Sequence, residues 1–253
     1  MWIDSHAHLS APEVHPKIDG ILERARQVGV SYILNICTDP EELEKGELLS
    51  SRFPFVKNAG ATTPHDVASQ GNNAFSIFEK AAEEGKICAV GETGLDYHYE
   101  HSPKEIQQRF LRKYLHLAAK VKLPVIFHCR EAFQDLFSMV DAEYKGAAVL
   151  HCFTGTLQEA EGVLKRGWYL SLSGIVTFKK SEGLRDVAKM VPLSQLLIET
   201  DTPYLAPQSH RGESNEPSFL LETAECIAAS KGISLEEVAR ATSDNAKRLF
   251  HFI

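Results

Sequence analysis

Residues 1–10 read MWIDSHAHLS. A short apolar run ends with Asp4, His6 and His8 at alternating positions. Side chains two residues apart leave the same face of a β-strand, which puts all three on one face. Paired imidazoles fill an apolar core poorly and hold a metal readily. If this is the first strand of a (β/α)8 barrel, ligand-type residues should recur wherever a later strand stops. The active sites of such barrels lie at the C-terminal ends of the strands.

Seven further β-branched or apolar runs follow, at 32–37, 55–59, 87–91, 125–128, 147–151, 168–173 and 196–199. Amphipathic stretches alternate with them, at 17–29, 40–51, 72–84, 103–121, 131–143, 157–166 and 181–190, and two more come near 216–231 and 234–250. Ser102-Pro103-Lys104-Glu105 reads as a helix start, and Ser234 with Glu237 as a capping box. Gly29, Gly85 and Gly167 stand where helix C-terminal glycines belong. Strands alternating with helices of this length imply a parallel sheet, and eight strands imply a barrel, with a doubly wound open sheet as the alternative.

The strand ends carry the expected residues. His6 and His8 end the first; VGETGLDY places Glu92 and Asp96 at the exit of the fourth. FHCR supplies His128 and Arg130, LHCFTG supplies His151, and IETDTPYL supplies Glu199 and Asp201. His6, His8, Glu92, His128, His151 and Asp201 exceed the roughly four ligands one zinc ion takes. They suit two divalent ions, with Glu92 as the natural bridge. Imidazole with carboxylate favours Zn, Mn, Fe or Co, and Mg fits less comfortably. A lone histidine at a strand end is usually an ordinary hydrogen-bonded residue; recurrence at several ends separates these from the rest. His15, His98, His101, His116, His210 and His251 are read as solvated or helical. Asp4 lies deeper, where a buried structural role or a hydrogen bond behind the ligands is as plausible as a catalytic role, and Glu199, on the strand face of Asp201, is a candidate to orient ligands or substrate.

The chain has 253 residues, 43% of them hydrophobic, and a net charge of −7. These values fit one domain spanning 1–253 with a single large core. No basic tract appears, so a non-specific nucleic-acid coat is not expected. Five cysteines without a CxxC pair read as buried apolar residues in a reducing compartment. No stretch has the length or character of a signal peptide or membrane span, and a cytoplasmic monomer is expected.

DSHAHL, GETGLDY, HCR, HCFTG and ETDTPYLAP, followed by RGESNEPS, together resemble the TatD family of metal-dependent deoxyribonucleases in the amidohydrolase superfamily. The resemblance runs from Ile3 to about Asn245. It implies that His6, His8, Glu92 and Asp201 hold one ion, that Glu92, His128 and His151 hold the other, and that Arg211, Asn215 and Glu216 shape the site. The activity it implies is 3′-to-5′ cleavage of phosphodiester bonds at DNA ends or in single-stranded DNA. One segment departs: members commonly carry Gly-x-His-Pro-His after the third strand, and here GATTPHDV leaves Thr62 and Thr63 where the earlier histidine would be, with His65 matching the last position.

On this reading water is activated by a divalent ion and Asp201 accepts or steers its proton. Arg130, His65 and Arg211 are candidates for phosphate contact, and Tyr97 and Tyr204 for stacking on a base. Arg130 has an equal claim to a salt bridge with a helix carboxylate. The alternatives are an esterase, amidase or lactonase on the same scaffold, an aminoacyl-ester hydrolase acting on tRNA among them, and a non-enzymatic metal-dependent binding protein.

Overall fold

The computed structural model describes residues 1–252. Among them, eight parallel strands form one sheet in sequence order: β1 (Trp2–Ala7), β2 (Val30–Cys37), β3 (Val56–Gly60), β4 (Ala89–Asp96), β5 (Val125–Arg130), β6 (Ala148–Leu150), β7 (Tyr169–Leu172) and β8 (Leu196–Ile198). The sheet curls into a nearly closed (β/α)8 barrel. β8 meets β1 through a parallel bridge between Ala7 and Thr202, with the Asp201 N–H donating to His6 O at 2.9 Å and the His8 N–H to Thr202 O at 2.7 Å.

The outer ring comprises α1 (Ile18–Gln27), α2 (Pro40–Arg52), α3 (Val67–Glu83), α4 (Lys104–Val121), α5 (Phe133–Glu143), α6 (Leu157–Lys165), α7 (Glu182–Met190) and α8 (Leu220–Lys231), and α9 (Leu235–Phe250) follows. One apolar layer lies between strands and helices. A second fills the barrel with Ile3, Leu34, Ile36, Ala59, Ala89, Ile126, Val149 and Leu197, and Leu249, Phe250 and Phe252 join it from the C-terminal segment. With that lower layer packed, the polar residues of the strands gather at the opposite end.

Several boundaries differ from the sequence pattern, each for a local reason. β4 continues to Asp96, so Glu92 lies inside the strand; Gly91 and Gly94 adopt φ near +150° and the β4–β5 register shifts between Val90 and Thr93. α3 begins at Val67 rather than 72, with a non-helical Gly71 interrupting it. Ser102 does not cap α4: its hydroxyl donates to His65 O at 2.7 Å and accepts from the Ala68 N–H. Ser234 does form the capping box with Glu237. Gly29, Gly85 and Gly167 take left-handed φ of 87°, 70° and 73°.

Candidate metal centre

The strand-end residues converge. His6 Nε2 lies 3.4 Å from Glu92 Oε2 and 3.5 Å from Asp201 Oδ1. His8 Nε2 lies 3.7 Å from the same Glu92 oxygen, 3.4 Å from Asp201 Oδ1 and 3.3 Å from His6 Nε2. On the other side, Glu92 Oε1 is 2.9 Å from His128 Nδ1 and 3.1 Å from His151 Nε2, and those nitrogens are 3.4 Å apart. Glu92 therefore turns one oxygen toward each histidine pair.

The spacing fits metal ligation. Donors about 2.1 Å from a tetrahedral ion stand about 3.4 Å from one another. Nitrogen and oxygen lone pairs this crowded need positive charge among them. Burial tends to raise the Glu92 carboxyl pKa, but His151, His128 and His6 outweigh burial and hold it well below the usual range. Burial acts on Asp201 in the same direction, and His8, His6 and His151 reverse it, so its carboxyl is also depressed. Both carboxylates are thus ionised at neutral pH. Burial and the neighbouring His151 lower the His6 pKa, which keeps a lone pair available.

A second tier of carboxylates stands behind these donors. Asp96 Oδ2 lies 2.9 Å from His128 Nε2 and 3.6 Å from His65 Nε2. Burial raises its pKa, but the hydrogen bond to His128 and the Tyr99 N–H carry it down to about 2. Glu199 is fully buried. Its Oε1 accepts from the Cys152 N–H at 2.5 Å and lies 3.4 Å from His151 Nδ1. The His6 and His151 rings stack at 3.9 Å, and each has a ligand atom within 4.8 Å of the Glu199 carboxylate. Asp4 is no part of the cluster. The β1–β2 register shifts between Asp4 and Ala7, and the Asp4 carboxylate accepts from the Thr200 N–H at 3.0 Å and its hydroxyl at 2.6 Å.

The remaining candidates divide. His65, Arg130 and Tyr204 reach the mouth. Tyr204 is 51% exposed with its ring edge on His8 at 5.7 Å. Arg130 lies over the Tyr99 ring at 4.8 Å, and among the described residues no carboxylate pairs with it. Arg211 packs on Phe178 at 4.2 Å. Three others are engaged by neighbouring residues. The Tyr97 hydroxyl donates to Asp135 at 2.8 Å. Asn215 donates to Thr200 O and Tyr204 O, both at 2.7 Å, and so staples the loop after β8. Glu216 pairs with Arg24 of α1. Thr62 is buried, with its N–H donating to the Tyr114 hydroxyl at 2.9 Å.

Sequence pattern does not single out Tyr99, and it gives His101 only a solvated or helical role. Both sit beside His65, with ring centroids at 5.8 and 5.2 Å. Their signal was position: they lie in the loop just beyond GETGLDY, where a βα loop of a barrel overhangs the site.

An eight-stranded barrel with a carboxylate between two histidine pairs at its C-terminal mouth belongs to the metal-dependent hydrolases. Comparison with known proteins narrows the class. The chain belongs to the TatD related DNase family, whose model matches residues 3–251. It is 39% identical to the "uncharacterized metal-dependent hydrolase YcfH" of Escherichia coli (strain K12), covering 98% of this chain and 95% of that one. It is 32% identical to the "3'-5' ssDNA/RNA exonuclease TatD" of Erwinia tasmaniensis, covering 98% and 99%. The crystal structure of YJJV, a TatD homolog from Escherichia coli K12, superposes with a TM-score of 0.94 at 28% identity, covering 100% and 98%.

Proposed function

We propose that this protein is a 3′-to-5′ exonuclease acting on single-stranded DNA ends with two divalent ions. His6, His8, Glu92 and Asp201 hold one ion; Glu92, His128 and His151 hold the other. The observation that carries this is Glu92, whose two oxygens face two separate histidine pairs. That division suits a carboxylate placed between two ions. The relative named as an ssDNA/RNA exonuclease supports the substrate class. When bound, such ions supply Lewis acidity, which acidifies water and neutralises a phosphoryl oxygen.

The protein's own groups do the rest. Asp201, ionised and buried, accepts the proton of the attacking water. Its backbone is left-handed at φ 61°, a conformation Asp tolerates better than most residues. Arg130 and Arg211 bind substrate phosphates, and His65 adds a donor beside the second histidine pair.

The test is a digestion time course on 3′- and 5′-labelled single-stranded DNA, with RNA in parallel. Metal-stripped protein receives Mg, Mn or Zn, and Asp201→Asn serves as control. We expect metal-dependent shortening from the 3′ end and a loss of at least about 100-fold in the control. Protein shown to bind metal but cleaving neither polymer would sink the exonuclease reading and direct the search to carboxylic esters and amides.

A further inference from the structure

Tyr99 is 52% exposed in the loop between β4 and α4, beside the second histidine pair. Its position is rigidly set. Asp96 Oδ1 accepts from the His98 N–H at 3.0 Å and the Tyr99 N–H at 2.9 Å. The other oxygen of the same carboxylate faces His128 Nε2 at 2.9 Å. One side chain thus fixes both a metal-type histidine and the backbone that carries Tyr99. The rings of His128, His65 and Tyr99 follow one another at centroid spacings of 5.5 and 5.8 Å, forming an aromatic wall that leads from the site to solvent. Arg130 lies over the Tyr99 ring at 4.8 Å with no carboxylate partner among the described residues. His98, by contrast, is held by Glu131 at 2.7 Å.

We propose that Tyr99, with Arg130 and His101 beside it, forms a subsite that stacks on the nucleobase of a nucleotide flanking the cleaved phosphodiester. The proposal rests on the nuclease reading and deepens it: the substrate is recognised by a base as well as by its phosphates. An isolated exposed tyrosine needs no explanation. This one combines a half-exposed ring, a guanidinium over it with no carboxylate partner among the described residues, and a backbone clamped to the site. Single-strand-binding proteins use the same pairing of aromatic platform and cation, and it tolerates any base because every base has a π-face. Tyr97 is not a candidate for this role, since its hydroxyl is bound to Asp135 and Gln108.

The test compares wild type, Tyr99→Ala and Tyr99→Phe, each metal-loaded. Substrates are a single-stranded oligonucleotide, the same oligonucleotide with an abasic residue at the terminal or penultimate position, and bis(p-nitrophenyl) phosphate, which has no base. Binding of labelled oligonucleotide to Asp201→Asn protein, with and without Tyr99→Ala, is read by anisotropy. We expect Tyr99→Ala to raise KM and Kd for the intact oligonucleotide about 5- to 150-fold with kcat nearly unchanged. Tyr99→Phe retains wild-type values. One abasic position reproduces the loss in wild type and adds nothing in Tyr99→Ala. Hydrolysis of the small diester is unaffected. Unchanged KM and Kd in Tyr99→Ala, or an equal loss on the small diester, would overturn the subsite while leaving the nuclease standing. Wild type that cleaves the small diester but no oligonucleotide would overturn the nuclease reading and the subsite with it.

Discussion

Glu199 shows how one residue can serve both halves of the centre. It sits beneath the stacked rings of His6 and His151, which belong to opposite histidine pairs. His6 Nδ1 and Glu199 Oε2 are buried without hydrogen-bond partners, His151 Nδ1 faces Glu199 Oε1 at 3.4 Å, and a carboxylate facing ring N–H groups fixes tautomer and orientation. Asp96 does this for His128 alone among the four clustered histidines. The two carboxylates should therefore differ in effect. Glu199→Gln should weaken both metal-binding steps about 10- to 100-fold, whereas Asp96→Asn should weaken one. Calorimetric titration with metal content as a check reads this directly. Equal effects on a single step in both variants would show that Glu199 acts only locally.

Among the elements, the junction of β1 and β8 closes the barrel with few backbone bonds, so side chains bear more of the task. Asp4 receives both the N–H and the hydroxyl of Thr200, and Thr200 in turn meets Thr202 at 2.8 Å. Burial raises the Asp4 pKa to about 7 from 3.8, against the lowering effect of Thr200. The folded state therefore holds this proton at pH values where the unfolded chain has released it. The resulting stabilisation is complete below about pH 4 and is lost as pH rises through about 7. Asp4→Asn copies the protonated form and should remove that slope. Relative to the variant, wild type should lose a few kcal/mol between pH 4 and pH 8 by urea denaturation. Parallel profiles would refute the role. Asp4→Ala, which strands two buried donors, should cost about 1–3 kcal/mol per donor at about pH 4, where the wild-type stabilisation is complete. β4 gains its reach from glycine: a Cβ on Gly94 would lie 1.9 Å from His128 O, so only glycine lets the strand run on to Asp96.

Over the whole molecule, charge decides how substrate is met. The chain carries a net charge of −7. On the two-ion reading, two divalent charges stand against the carboxylates of Glu92 and Asp201 and leave a positive pocket. Asp96 and Glu199 add two more carboxylates behind them, which brings the formal sum to zero. Phosphate attraction then falls to Arg130 and Arg211. With two phosphate contacts on a single strand, log KM should change with log salt with a slope of magnitude about 1.4. A slope of about 4 or more between about 50 and 200 mM salt would instead indicate a longer basic track contacting the strand. No helix among the described residues is long and apolar enough to cross a membrane.

The alternation of strands and helices, and the ligand types at strand ends, follow from periodicity and residue chemistry, which are local and therefore legible in the sequence. That His6, His8, Glu92, His128, His151 and Asp201 gather at one end of the barrel was readable for that reason, as was the eight-stranded barrel. What local pattern cannot express is which atoms face each other across 190 residues of chain. The division of Glu92 between two histidine pairs, the carboxylates behind them, and the withdrawal of Tyr97, Asn215 and Glu216 into internal bonds all arise from barrel closure. So does the promotion of Tyr99, whose neighbour at 97 looks equally suitable in sequence. Residue type and spacing determined the metal chemistry available to this protein. The curl of the sheet decided where each lone pair points, because only a closed barrel brings the ends of β1, β4, β5, β6 and β8 to one place.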